Sequence, residues 1–283
     1  MGRVSLSSEV LSDRFGKQPF LFPHSLTEHP LTSLPALEEL AGTLPVEDIE
    51  HNLGTVGSVV ADGNVPRAEL SPPEMVRTIA TNNCWMVLPV HRAPAYKALL
   101  DELFGEVQSA LPASEGRIRH RQAVFFLASS GSTTPTHIDL EQGFLLHLHG
   151  TKTVRIGDYV DTDTGQQHIE RFHTGGHRNV AQPPHNAEEF VLRPGTGVHV
   201  PAFRPHVVHT GGGQVALSLA IALRTDATLR DSAVHRANAR IRHLGVTPRP
   251  PGGRGMRNEV KRGLVTTADR VLRVRAKRAA TTP

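Results

Sequence analysis

The chain of 283 residues has one cysteine, Cys84, and one tryptophan, Trp85, and its aromatic content is only 5%. A lone thiol closes no intramolecular disulfide, so a disulfide-stapled scaffold is excluded. No uninterrupted apolar run approaches the roughly 18 residues that a membrane-spanning helix needs. No N-terminal stretch joins a basic segment to an apolar core and a small-residue cleavage site, so a cytoplasmic protein with no membrane partner is the expectation. No internal repeat is visible. What the chain has in quantity is turn chemistry, with 25 glycines and 21 prolines, which favours many short strands over a helix bundle.

The net charge of +4 is the sum of two unlike parts. From Arg224 onward there are 15 Lys and Arg against 4 Asp and Glu, which leaves 16 against 23 before it. The basic character therefore belongs to the C-terminal region, and the rest of the chain is acidic. Clustered Lys and Arg can neutralise phosphates, so nucleic acid is a conceivable partner for that tail. Yet no aromatic residue follows Phe203 to stack on a base. In "MRNEVKRGLVTTADRVLRVRAKRAA" the apolar residues Leu264, Val265, Val271, Leu272 and Val274 favour packing on the core or on a second subunit, as in a homodimer formed through C-terminal helices.

The first third reads as mixed α/β. Ser33 before Leu34 and Pro35, with Glu38 and Glu39 following, marks a capped helix start. Ser71 and Pro72 open a second helix with Met75 and Ile79 on one face. "CWMVLPV" reads as a buried strand, and "APAYKALLDELFGEVQSAL" as an amphipathic helix carrying Tyr96, Leu99, Leu100 and Leu103. From Ile118 the period shortens to seven β runs, "RQAVFFLAS", "GFLLHLHG", "TKTVRIG", "EEFVLRPG", "GVHVPA", "HVVHTG" and "QVALSLAIAL". Seven strands in so short a span predict a sandwich or barrel with a ligand-holding interior. Residues 158–187 show weak periodicity and read as a long polar insertion, a solvated lid. "TLRDSAVHRANARIRHLG" reads as a helix ending at Gly245, followed by a Pro/Gly linker and the basic helical tail. The expected organisation is one domain over 1–225, with its β core at about 118–225 and an N-terminal α/β extension, and a basic helical region over 226–283.

Histidine is plentiful, with 17 residues. Two His-x-acid triplets occur, His137-Ile138-Asp139 and His168-Ile169-Glu170, and chance alone supplies roughly that many, so context has to separate them. In an extended strand, residues i and i+2 point to one side. "TPTHID" feeds a β segment, which makes His137 and Asp139 the better pair. Two histidines and one carboxylate leave adjacent positions open on a six-coordinate iron. A third ligand would come from His199, His206 or His209; the last two flank the same Val-Val pair, and pattern alone does not rank them. His168, His173, His177 and His185 match no structural zinc spacing. His147 and His149 share a strand face as interior or rim imidazoles.

"TPTHIDLEQGFLLHLHGTKTVRI" followed by "PGTGVHVPAFRPHVVHTGGGQVALSLAI" resembles the JmjC-type, cupin-like branch of the Fe(II)/2-oxoglutarate-dependent oxygenases, and is similar to its asparaginyl hydroxylase and bacterial cupin-like members. "FGKQPFLFPHSL", "NNCWMVLPV", "PAYKALLDEL" and "VHRANARIRHLGVTPRPPGG" extend the likeness to about residue 252. The resemblance implies a double-stranded β-helix, or jelly-roll, with N-terminal α/β elements and C-terminal helices. It implies Fe(II) held by His137, Asp139 and His206, with 2-oxoglutarate as cosubstrate and dioxygen as oxidant. Lys152 would pair with the far carboxylate of 2-oxoglutarate and Thr134 would hydrogen-bond it, with His147 a further cosubstrate contact. No catalytic residue beyond the metal ligands is implied. The chain departs from the family at Gly143, His147 and Ala220, where Asn, Gln and Asn are usual. The expected activity is oxidation, most simply hydroxylation, of a small molecule or a peptide or protein side chain. A metal-binding regulatory protein without turnover is the alternative, and a cupin isomerase or 2-oxoglutarate-independent dioxygenase would leave Lys152 without a purpose.

Overall fold

A computed structural model describes residues 3–54, 56–60, 66–252 and 255–263. Its strands are β1 (Phe20–Pro23), β2 (Glu50–Leu53), β3 (Cys84–Leu88), β4 (Ile118–Ala128), β5 (Thr133–His137), β6 (Gln142–His149), β7 (Lys152–Asp158), β8 (His185–Leu192), β9 (Thr196–Val200), β10 (His206–Thr210) and β11 (Ala216–Thr225). Its helices are α1 (Ser8–Arg14), α2 (Leu34–Thr43), α3 (Pro72–Thr78), α4 (Lys97–Ala110), α5 (Thr162–His173) and α6 (Asp226–Arg242). The strands form two antiparallel sheets, one ordered β1-β9-β6-β11-β4-β3-β2 and the other β5-β10-β7-β8. This is a mainly β jelly-roll with helices outside it.

Period-2 alternation sorts the large sheet into two faces. On β4, Ala123, Phe125 and Leu127 enter the main hydrophobic core with the N-terminal helices, while Val124 and Phe126 line the interior cavity. On β11, Leu217, Leu219, Ile221 and Leu223 join that core, and Ala220 and Ala222 border the cavity. On β11 and β6 the small residues Ala220, Ala222 and Gly143 leave room for the cavity. Gly150 makes the tight β6–β7 turn at φ +75°, where a Cβ would collide with the Val215 carbonyl.

The seven β runs expected from Ile118 onward are all present, and β1, β2 and β3 extend the same sheet from the N-terminal third. The Ser33 cap forms, its hydroxyl accepting from the Ala36 N–H. Ser71 stands at the N-cap of α3 but caps with no side-chain bond to the backbone; its hydroxyl donates instead to Glu74. Met75 and Ile79, and likewise Tyr96, Leu99, Leu100 and Leu103, are buried as their spacing predicts.

The stretch 158–187 departs from expectation. It contains α5, capped by Asp161, whose carboxylate accepts from the Thr164 N–H at 2.8 Å. Its buried positions include His168 and Glu170, polar residues that hide the helical period. His168 is bonded to the Tyr159 hydroxyl at 2.6 Å and to the His177 carbonyl at 3.2 Å. Glu170 pairs with Arg242 of α6 at 2.7 Å. The insertion is thus a packed element and not a solvated lid.

The expected helix after Thr225 is α6, with Thr225 as its cap, and the chain is helical again over 256–263. Leu264, Val265, Val271, Leu272 and Val274, and with them the expected dimer contact, lie outside the described residues. Among the described residues, no helix is long and apolar enough to cross a membrane.

Candidate metal and cosubstrate site

β5 and β10 pair antiparallel with His137 opposite His206, and Asp139 follows His137 by two residues. The side chains converge, and their ligand atoms all lie within 4.8 Å of one another. The two imidazole centroids are 4.1 Å apart, and His206 Nε2 is 3.5 Å from Asp139 Oδ2. Each ring is fixed by the same device. His137 Nδ1 donates to the carbonyl of Pro135 at 2.8 Å, and His206 Nδ1 to that of Arg204 at 3.0 Å. That tautomer leaves the Nε2 lone pair for a metal.

Burial first, and then the neighbouring His206, push His137 well below the usual histidine range, so it is neutral, as a ligand must be. Burial alone would raise the Asp139 carboxyl; the positive charge around it, the Arg178 guanidinium included, overrides this and holds the group below the usual range. Two imidazole nitrogens and a carboxylate oxygen converge here, and iron fits this donor set. Among the described residues no other group of three or more such side chains converges.

These ligands open onto a cavity of about 200 Å³ that Thr134 and Lys152 also line. Lys152 is 1% exposed, and its ammonium lies over the Phe126 ring at 4.8 Å. Burial lowers its pKa to about 7. No ion pair to Lys152 exists among the described residues, and the cavity in front of it is large enough to admit a carboxylate. A buried cation without a counter-charge is costly, and an anionic ligand reaching from the metal would supply one. Lys152 and Thr134 thus fit a dicarboxylate cosubstrate. Gly143 and Ala220 line the same cavity, and a Cβ at Gly143 would meet Val200 at an ordinary 3.6 Å, so the missing side chain leaves space and no strain.

The other histidines lie elsewhere. His147 is fully buried, its Nδ1 2.9 Å from Ser218 Oγ; burial and then Lys152 lower its pKa to about 4. It is not among the residues that line the cavity. His149 is exposed and bonds the Val215 carbonyl. His199 is buried against Phe15, Phe20 and Phe144, on the far side of the sheet, and accepts from the Gly16 N–H. His209, three residues along β10 from His206, falls on the opposite strand face and meets Thr133. His168, His173, His177 and His185 form no ligand cluster. Sequence reading missed Arg178, which lines the cavity beside Asp139; a lone arginine in a polar segment carries no local signal.

Residues 111–229 match the protein-family model described as the JmjC domain. A comparison with curated proteins finds no match. Among solved structures, the chain is similar to an X-ray structure of E. coli YcfD, at 17% identity and TM-score 0.53 over 94% of this chain and 68% of that one. The structure described as the Escherichia coli ribosomal oxygenase YcfD gives 17% and 0.51 over 95% and 68%. The same protein in complex with cobalt and 2-oxoglutarate gives 17% and 0.53 over 95% and 68%. At this identity the likeness shows a shared fold.

Proposed function

From a chain whose residues 111–229 carry a JmjC domain, we propose an Fe(II)- and 2-oxoglutarate-dependent oxygenase that acts on a peptide or protein side chain. The observation that carries this reading is the pairing, in one cavity, of a His137–Asp139–His206 cluster with a buried lysine that has no counter-charge among the described residues. A cupin that only stored metal would have no use for Lys152.

His137, Asp139 and His206 would hold the metal on one face, leaving the cavity side open. When bound there, iron and 2-oxoglutarate would supply the reduction of dioxygen, one oxygen atom going into succinate as CO2 is lost and the other into a substrate C–H bond to give C–OH. Lys152 and Thr134 bind and orient the far carboxylate. The apolar wall of Val124, Leu145, Val154 and Val200 limits water along the inner cavity, which strengthens each polar contact there. The protein's share is orientation and dryness.

A protein substrate is supported by the neighbour described as a ribosomal oxygenase, and by a cavity that opens at the metal end, where the Asp139 side chain is 39% exposed. The test is turnover: protein reconstituted with Fe(II) is given 2-oxoglutarate and peptide pools, and succinate is measured. Succinate that rises with peptide and vanishes in His206→Ala supports the reading; stoichiometric 2-oxoglutarate binding with no succinate from any pool would favour a binding protein.

A further inference from the structure

Arg178 reaches the metal cluster from outside the barrel strands. The backbone sets its place: the Ile138 N–H donates to the Arg178 carbonyl at 3.0 Å, and the Val180 N–H to that of Thr136 at 2.9 Å. His137 and Asn179 form an antiparallel bridge. Residues 178–180 thus add one rung beside β5. Arg178 lines the cavity, while the Asn179 amide donates to the Val60 carbonyl at 3.0 Å.

The guanidinium lies between two carboxylates. Its Nη2 is 3.4 Å from Glu50 Oε2, and its Nη1 is 3.8 Å from Asp139 Oδ1. The other Asp139 oxygen, Oδ2, is the one beside His206 Nε2. The two oxygens of Asp139 are therefore addressed from different sides, one by the imidazole and the other by Arg178.

We infer that Arg178 is a positioning residue for the metal site: it holds the Asp139 oxygen that the metal does not take, and Glu50 holds Arg178. The inference rests on the metal-site reading above. A planar fork with several donors suits a bridge between two carboxylates better than a lysine does. The ion pair to Oδ1, at 3.8 Å, would favour a metal taken by the other oxygen of Asp139 alone. Because Glu50 is on β2, at the edge of the large sheet, the device ties the metal carboxylate to the N-terminal part of the chain.

The test uses the full chain titrated with Co(II) as a spectroscopic probe, without turnover. Partners of metal ligands contribute about 10- to 100-fold in metal affinity, so Arg178→Gln should weaken Co(II) binding about tenfold or more and alter the visible ligand-field spectrum. Arg178→Lys should recover part of the affinity. Glu50→Gln should weaken binding in the wild-type background and add nothing to Arg178→Gln. Affinity within about twofold of wild type, with an unchanged spectrum in Arg178→Gln, overturns the inference, while loss of Co(II) in His137→Ala shows that the metal site itself stands. Losses that add between Arg178→Gln and Glu50→Gln, with no rescue by lysine, also overturn it. A wild-type chain that takes up no Co(II) overturns both.

Discussion

His137 and His206 are Cα partners on the antiparallel pair β5–β10, with ring centroids 4.1 Å apart and each Nδ1 tied to the carbonyl two residues before it. Neither ring needs a metal to find its orientation. The site is therefore preorganised, and ligand removal and ligand rearrangement should give different results.

Replacing either histidine, or Asp139, with Ala should abolish stoichiometric metal uptake, measured by elemental analysis after dialysis. His209→Ala should leave uptake unchanged, because that ring lies on the opposite face of β10 against Thr133. Metal lost in His209→Ala and retained in His206→Ala would reverse the assignment.

Lys152→Ala should keep the metal and lose the cosubstrate. A charge-assisted hydrogen bond contributes about 1.5–3 kcal/mol, so 2-oxoglutarate affinity measured calorimetrically should fall roughly 10- to 150-fold. An equal loss of metal affinity would show that Lys152 supports the fold and not the ligand.

Lys152 also predicts a dependence on pH. In the free protein burial lowers its pKa to about 7, from an ordinary value of 10.5. Between those values the unfolded chain holds a proton that the folded one has released. Stability from this group therefore rises with pH across that window, by about 1.4 kcal/mol per unit, and is lost as pH falls through about 7. Urea unfolding at pH 7 and pH 9 should show wild type gaining on Lys152→Met. Cosubstrate binding has the opposite trend, because it needs the ammonium, and should weaken above about pH 7.

Gly165→Ala tests whether the insertion is packed. A Cβ there would lie 2.7 Å from the Tyr159 ring, the same ring whose hydroxyl holds His168. Overpacking of this kind costs about 1–3 kcal/mol. An unchanged denaturation midpoint would mean that α5 contributes little to stability.

β4 and the strands from β6 to β11 are legible because each is a short apolar run between turn residues. β5 is not one of the seven apolar runs: "TPTHID" shows only as a ligand-bearing stretch that feeds a β segment, and the strand Thr133–His137 holds Pro135. It lies at the edge of the four-stranded sheet, where proline is tolerated. α5 escaped because its buried face is partly polar, and His168 and Glu170 are satisfied by Tyr159 and by the distant Arg242. Pattern could not rank His206 against His209, which differ by strand face; pairing with β5 separates them. The pairing of β1, β2 and β3 with the large sheet, and the approach of Arg178 to Asp139, are long-range contacts with no local trace.

On this reading one cavity holds iron and 2-oxoglutarate together. Anaerobic addition of Fe(II) and 2-oxoglutarate to the full chain, watched for the weak visible charge-transfer band of their complex, tests it most directly. The band is expected in wild type, is lost in His137→Ala, and in Lys152→Ala returns only at much higher 2-oxoglutarate. A wild-type chain that binds no iron and shows no band would contradict it.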